Sequence, residues 1–213
     1  MQEKEVISIL QNQLNFSEKN ISNIKIYINE LLIANKKHNF ISKSTENVIW
    51  HRHILDSAQL VKFIDFSKSS LSDLGSGAGF PGLVILILNQ EKKVNFHMTL
   101  VESNKKKCSF LKDLIKCFKI KAEVINDRAE NLNEKFDIII GRAVAPLSRF
   151  LLFCRNIKKD ETIYILPKGA NFQSELLQLK KQWYYEVNIV KNNKEIDKSG
   201  GVTIILSNFK KKK

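Results

Sequence analysis

Hydrophobic side chains are spaced at helical intervals over the first part of this chain. Between residues 21 and 37, apolar positions recur every three or four residues, which is the period of a helix that buries one face. A second helical segment is predicted to begin at Thr45, whose hydroxyl can cap a helix that carries Glu46 in its first turn. Residues 1–66 are therefore predicted to form a helical extension that packs on the rest of the chain.

After residue 66 the pattern changes to short apolar runs that alternate with amphipathic ones. Helices are predicted between the apolar runs, and strands that alternate with helices imply parallel crossovers and a doubly wound α/β sheet. Two closing runs, 183–190 and 201–209, flank the sequence DKSGG and predict an antiparallel strand pair joined by a glycine turn. Residues 67–213 are predicted to form one domain. The earlier predicted strands are 70–74, 96–102, 121–125, 136–140 and 162–166.

A glycine-rich segment, DLGSGAGFPG at 73–82, follows the first predicted strand directly. In open parallel sheets, ligands bind beyond the carboxyl ends of the strands, and glycines let the backbone turn sharply and approach a ligand. Read from Gly77, the segment is G-x-G-x-x-G, the pattern of dinucleotide-binding proteins, with Glu102 placed to hold a ribose. Read from Asp73, it is D-x-G-x-G-x-G, the pattern of S-adenosylmethionine (SAM) methyltransferases. An NAD(P)-binding oxidoreductase therefore stays open, as does a tight turn without a ligand.

The charge of the chain indicates a polyanionic partner. There are 35 lysines and arginines against 22 acidic residues, a formal net charge of +13. Such a balance suits nucleic acid or an anionic membrane, although a general preference for lysine explains it equally well. A non-catalytic RNA-binding protein is thus another alternative, and the family resemblance described below makes a ribosome assembly factor its specific form.

Location and metal content are predicted from what the sequence lacks. No apolar run is long enough to span a bilayer, and the amino terminus has no signal-peptide layout, so we expect a cytoplasmic protein without a membrane partner. The three cysteines lack C-x-x-C spacing, which argues against both a disulfide framework and a zinc site. We expect no metal.

Six segments follow one another in this order along the chain: NFISKSTENVIWHRHILDSAQL, DLGSGAGFPG, VESNKKKCSFL, NDRAENL, FDIIIGRAVAPL and LPKG. Together they resemble the RsmG family, also called GidB. The family's members are bacterial SAM-dependent methyltransferases that modify a guanine of 16S ribosomal RNA at N7. The resemblance implies a Rossmann-like class I methyltransferase fold, with SAM as cofactor. It also implies guanine 527 of the decoding-region loop as the target, and 16S rRNA or the small ribosomal subunit as partner. We expect a monomer.

The resemblance also assigns candidate residues. Arg142 matches an arginine at the mouth of the family's site, where many members have serine in place of the preceding Gly141. Arg52, Lys168 and Arg142 are candidates for RNA contact, although Arg52 can equally pair with Asp56 one helical turn away, and Lys168 can simply be solvated. The candidate cofactor-binding residues are Asp73, Gly75, Gly77, Gly79, Phe80, Glu102, Ala129, Glu130 and Arg142.

Residue chemistry predicts catalysis without a dedicated base. The N7 atom of neutral guanine already has a lone pair, so no proton has to leave before attack on the methyl group. Positioning and electrostatics should carry the reaction. The candidates at the reacting centre are Arg142, His53 and Asp56; the two on the helix, His53 and Asp56, share a face, and a structural hydrogen bond is their alternative role.

Overall fold

A computed structural model describes residues 1–68, 70–91, 96–191 and 201–212. Helices fill its amino-terminal part: α1 (Glu3–Asn12), α2 (Glu18–His38) and α3 (Lys43–Glu46). A continuous run of turns follows, with a π-helical segment (Trp50–Leu55), α4 (Asp56–Ala58) and a 3-10 segment (Gln59–Phe63). Within the described ranges, no helix is both long and apolar enough to cross a membrane.

The prediction that Thr45 begins the second helical segment is wrong. Ser42 occupies the N-cap position of α3, and Thr45 lies inside that short helix. The Thr45 hydroxyl donates to the carbonyl oxygen of Ser42 at 2.9 Å. The hydroxyl thus donates its proton to a preceding carbonyl group, so it stabilises the turn from Ser42 to Thr45 and does not cap a following helix.

In the described residues, seven strands form one mixed sheet in the order β3-β2-β1-β4-β5-β7-β6. The first five strands are parallel, β7 runs antiparallel to β5, and β6 runs antiparallel to β7. The predicted doubly wound sheet with an antiparallel closing pair is confirmed. Residues 197–200 of the predicted glycine turn lie outside the described residues. The strands are β1 (Ser70–Leu74), β2 (His97–Val101), β3 (Glu123–Ile125), β4 (Phe136–Ile140), β5 (Lys158–Lys168), β6 (Trp183–Lys191) and β7 (Val202–Lys211).

Helices cover both faces of the sheet. They are α5 (Gly82–Asn89), α6 (Lys105–Phe118), α7 (Leu147–Phe153) and α8 (Phe172–Lys180), with a 3-10 turn at Ala129–Asn131. Every residue of α5 is buried. A helix that is apolar all round needs cover on every side, and the amino-terminal helices supply part of it.

The amino-terminal helices share one core with the sheet. Tyr27, Leu31 and Ile54 are fully buried in the same cluster of apolar side chains as α5 and β1. The Asn20 amide donates to the carbonyl oxygen of Ile87 in α5 at 3.0 Å. These contacts agree with an extension packed on the sheet, while its boundary at residues 66 and 67 stays a prediction.

The direction of winding reverses between β1 and β4. From β1 the chain crosses to β2 and β3 on one side of the sheet, and then to β4 and β5 on the other. The segments that follow β1, β2 and β4 leave the same edge, which is where open sheets bind ligands. The glycine segment, Glu102 and Arg142 therefore come together there.

Candidate active site

The glycine segment after β1 has a backbone that side chains would disturb. Gly75 and Gly79 have φ angles of 67° and 112°, in the region that favours glycine. A Cβ atom on Gly75 would lie 2.8 Å from a methyl group of Val144, and one on Gly79 would lie 2.9 Å from the Tyr27 hydroxyl. At Gly77 the same added atom would meet nothing nearer than 3.7 Å. The loop is thus packed at both ends and open at its centre.

Two carboxylates hold this loop in shape. Asp73 is fully buried and accepts a hydrogen bond of 2.9 Å from the backbone N–H of Gly82, the first residue of α5. Burial raises the pKa of Asp73 to about 7, and the Gly82 N–H partly opposes the rise. Glu102 accepts from the backbone N–H groups of Gly77 at 2.9 Å and Asn104 at 2.7 Å. Asp73 therefore fixes the end of the loop where α5 begins, and Glu102 fixes its centre at Gly77.

A cavity of about 350 Å³ opens beside Glu102. Gly75, Ala129 and Glu130, three of the residues predicted to bind the cofactor, line it together with the apolar side chains of Val144 and Phe153. Each Glu102 oxygen uses one lone pair on a backbone amide and keeps another for a ligand hydroxyl. A carboxylate beside apolar walls suits a ribose attached to a base, so the residues present fit the adenosine part of SAM.

A second cavity, of about 590 Å³, adjoins the first, and both are lined by Ala145 and Pro146. This larger cavity brings together residues that are far apart in the sequence. Its lining includes Arg52, His53, Asp56, Arg142 and Lys168. The five residues named above as candidates for RNA contact or for the reacting centre therefore line one cavity.

Arg142 follows β4 and is fixed by the π-helical segment. Its guanidinium donates to the carbonyl oxygen of Arg52 at 2.7 Å and to Nδ1 of His53 at 2.6 Å. A carboxylate oxygen of Asp56 lies 4.0 Å from the same group, and the Phe80 ring lies beneath it at 5.3 Å. Only 17% of the Arg142 side chain is exposed. The guanidinium thus links the amino-terminal helices to the edge of the sheet.

His53 is held in one protonation state by this arrangement. A guanidinium can only donate, so Nδ1 of His53 must accept and the ring proton must lie on Nε2. Burial, together with the positive charges of Arg142 and Arg52, lowers the pKa of His53 to about 3. The ring stacks on Phe80 with centroids 4.6 Å apart. Within the described residues, the buried Nε2 atom has no hydrogen-bond partner. The neutral ring therefore keeps a donor that the protein leaves unused.

Replacing His53 with asparagine should flatten part of the pH dependence of stability. The folded-state pKa of about 3 lies below the usual 6.5, so the stability that depends on neutral His53 is complete above pH 6.5 and is lost as the pH falls below it. The asparagine side chain can still accept from Arg142 but does not titrate. Between pH 7 and pH 5, the parent should lose about 1 kcal/mol of unfolding free energy relative to His53→Asn, with allowance for solvent screening.

Urea denaturation of both proteins at several pH values measures this difference. The raised pKa of Asp73 acts in the opposite direction, since its cost to stability diminishes as the pH falls from about 7. Asp73 is present in both proteins, so its effect cancels in the comparison. If the unfolding free energies of the two proteins changed equally from pH 7 to pH 5, the assignment of a neutral His53 would be contradicted.

Two of the candidate binding residues, Phe80 and Lys168, are engaged in contacts within the protein. Phe80 is 5% exposed and packs between Tyr27 and His53, behind the ligand cavities. The Lys168 ammonium donates to a carboxylate oxygen of Glu175 at 2.8 Å and to the carbonyl oxygen of Ala145 at 3.2 Å. Its charge is thus engaged within the protein. The roles of both residues in binding stay predictions.

The sequence reasoning missed the residue that supports the glycine loop from the amino-terminal side. The Tyr27 hydroxyl donates to the carbonyl oxygen of Ala78 at 2.7 Å, and its ring packs against Phe80 at 5.5 Å. In the sequence, Tyr27 is one apolar position of an amphipathic helix, and no local pattern distinguishes it. The contact joins residues 51 positions apart, so it required the tertiary structure.

Comparison with known protein families and sequences identifies relatives of this chain. Residues 20–200 match the family described as GidB, rRNA small subunit methyltransferase G. A ribosomal RNA small subunit methyltransferase G of Zymomonas mobilis is 33% identical over 198 residues, which cover 89% of this chain and 87% of that protein. The protein of the same description from Bartonella tribocorum is 34% identical, with 86% and 85% covered.

Solved structures with low sequence identity show the same fold. Crystal structures of M. jannaschii TYW2 in complex with AdoMet and of a putative caffeoyl-CoA O-methyltransferase from Staphylococcus aureus both superpose with a TM-score of 0.56. The TYW2 structure is 16% identical to this chain, and the match covers 75% of this chain and 76% of that one. The Staphylococcus aureus structure is 17% identical, and the match covers 96% of this chain and 98% of that one.

These findings decide between the alternatives that the sequence left open. The resemblance to the RsmG family and the Rossmann-like methyltransferase fold are confirmed. The family match and the methyltransferase fold show a SAM-dependent methyltransferase of small-subunit rRNA, and they favour neither the oxidoreductase nor the non-catalytic alternative. The chain belongs to the GidB family, the ribosomal RNA small subunit methyltransferases G.

Proposed function

We propose that this enzyme transfers the methyl group of SAM to N7 of guanine 527 in the decoding-region loop of 16S rRNA. The observation that carries the proposal is the pair of adjoining cavities at the reversal point of the sheet. The smaller one has the carboxylate for a ribose, and the larger one has a neutral donor next to a fixed guanidinium. We propose further that the enzyme works as a cytoplasmic monomer.

The residues of the smaller cavity would hold the cofactor. Glu102 would accept from the ribose hydroxyls, while Gly75, Ala129 and Glu130 would surround the nucleoside. When bound, SAM supplies an electrophilic methyl group on its positively charged sulfur. The open backbone at Gly77, which Glu102 fixes, leaves room for a ligand to approach.

The larger cavity would select guanine through its Hoogsteen edge. Guanine presents two acceptors there, N7 and O6, whereas adenine presents an amino donor in place of O6. The Nε2–H of His53 is a buried donor without a protein partner among the described residues, and it would donate to O6. Adenine would place a donor against that donor. His53 would therefore favour guanine without taking part in proton transfer.

The low pKa of His53 supports a mechanism that lacks a general base. At neutral pH the ring carries one proton, on Nε2, and Nδ1 is engaged by Arg142. Guanine N7 needs no deprotonation, so a fixed donor and correct alignment are sufficient. Arg142 would hold His53 in place and would keep its own charge available to a nearby phosphate.

Transfer of a labelled methyl group to RNA tests this proposal. The enzyme is incubated with SAM and small-subunit RNA from a strain that lacks this protein, and the RNA is then digested to nucleosides. We expect the label in 7-methylguanosine. Label in another nucleoside would contradict the assigned atom, and an absence of label with SAM bound would contradict the assigned substrate.

A further inference from the structure

A third cavity, of about 530 Å³, lies between α2 and α6, outside the site described above. Its floor is apolar and includes Ala34, Phe40, Phe110 and Leu114. Ile33, which also lines it, is 48% exposed. This cavity combines an apolar floor with an exposed rim.

Aromatic rings form one wall of this α2–α6 cavity. The Phe40 ring lies 5.5 Å from the ring of His38, at an interplanar angle of 29°, and 5.3 Å from the ring of Phe110. Phe40 is only 8% exposed, so its ring supports the exposed ring of His38 and the half-buried ring of Phe110 from the side of the core. Fixed aromatic side chains provide stacking surfaces for the bases of unpaired nucleic acid.

Charged side chains surround the mouth of the cavity. Lys37 and Lys106 line it, and their neighbours in sequence, Lys36 and Lys105, are also exposed. In the part of the chain that the structure describes, the ion pairs within 4.0 Å involve none of these four lysines. They are therefore available to the phosphates of a ligand.

Two carboxylates on the rim add hydrogen-bond acceptors to this positive surface. Glu30 and Asp113 line the cavity, one on each helix. Carboxylates accept hydrogen bonds from the amino groups of bases, as in the recognition of cytosine. Stacking rings, base acceptors and phosphate-binding lysines together match the chemistry of a single nucleotide.

The cavity is connected to the active site through one short segment, residues 40–45. Phe40 lines the third cavity and Thr45 lines the larger active-site cavity, and five residues of chain span at most about 18 Å. The side chain of Asn35 fixes this segment, because it accepts from the Ile41 N–H at 2.8 Å and donates to Glu46 at 2.5 Å. A strand of RNA that enters one cavity can reach the other within a few nucleotides.

We infer that the α2–α6 cavity binds an unpaired nucleotide of the RNA substrate, near the target guanine in the sequence. The inference rests on the proposed function for the identity of the RNA. This second contact would hold the strand while the guanine occupies the larger cavity, so it would contribute to RNA affinity and not to SAM binding.

The exposed Cys117 allows the cavity to be blocked by a chemical reagent. Cys117 lines the cavity, whereas Cys108 and Cys154 are buried. Alkylation by N-ethylmaleimide should therefore add its bulk at Cys117. We expect the modified enzyme to show a KM for 16S rRNA at least tenfold higher, with kcat and SAM affinity within twofold. The treated Cys117→Ser variant is the matched control and should behave like untreated enzyme.

A substitution provides the second test. Lys106→Glu should also raise the KM for RNA, and Lys112→Glu, exposed on the same helix but outside the cavity, should change it less than twofold. A KM unaffected by both alkylation and Lys106→Glu would overturn the inference. If the unmodified enzyme transfers no methyl group, the proposed function fails. In that case the rate at which N-ethylmaleimide alkylates Cys117 is measured with and without 16S rRNA. Slower alkylation in the presence of the RNA would support the inference, and an unchanged rate would reject it.

Discussion

Replacing Glu102 with glutamine is expected to weaken SAM binding by about ten- to a hundredfold, a loss of about 1.4 to 2.7 kcal/mol. Glu102 now accepts from two backbone N–H groups, those of Gly77 and Asn104. Glutamine keeps one acceptor oxygen, but its amide NH₂ would face a second backbone donor at a position only 8% exposed. The loop would shift, and one acceptor for the ribose would be lost.

Isothermal titration calorimetry with SAM measures this effect, and thermal unfolding measures the fold. The unpaired donor should cost about 1–3 kcal/mol, which lowers the Tm of a chain of this size by several degrees. Glu134→Gln is the matched control, since Glu134 is exposed and lies outside both active-site cavities. An unchanged SAM affinity in folded Glu102→Gln would refute the assignment of the smaller cavity to the cofactor.

Replacing Arg142 with lysine is expected to lower kcat for methyl transfer at least a hundredfold, while SAM affinity changes by less than fivefold. The guanidinium donates at once to the Arg52 carbonyl oxygen and to His53 Nδ1, and a single ammonium cannot reproduce this fork. His53 would then lose the partner that fixes its ring and its tautomer. Misplacing a positioning group by about 1 Å can cost a hundredfold in rate.

Single-turnover transfer to RNA, with SAM affinity measured in parallel, separates the roles proposed for Arg142. A rise in the Kd for SAM that matches the loss of rate would show that the arginine binds the cofactor, as the family resemblance also allows. Arg155→Lys is the control, because Arg155 is exposed and lines neither active-site cavity. A kcat equal to that of the parent would refute the role of the arginine–histidine pair.

The strands were largely predictable because their apolar runs are short and sharply bounded. The predicted 70–74 and 136–140 agree with β1 and β4 to the residue. The prediction failed mainly at β5, which begins at Lys158 and not at residue 162. The additional residues, KKDE, are polar, and they join the strand where its register with β4 shifts. Hydrophobic patterning cannot detect a strand segment that tertiary pairing alone imposes.

The candidate site was predictable wherever glycine spacing or a strand end marks it. Glu102 and the glycine loop are examples, since the topology of a doubly wound sheet fixes their position. The partners of Arg142 were not predictable, because they are a backbone carbonyl and a histidine in a π-helical segment about ninety positions earlier. The pairing of Lys168 with Glu175 likewise depends on how α8 packs against the sheet.

Mapping the methyl group on the RNA tests the assigned target atom and nucleotide together. Small-subunit RNA from a strain that lacks this protein is treated with the enzyme and SAM, and is then cleaved chemically at N7-methylguanine. We expect a single new cleavage, at guanine 527 of the decoding-region loop, that depends on both the enzyme and SAM. Cleavage at another position, or methylation of the RNA without any new cleavage, would contradict this assignment.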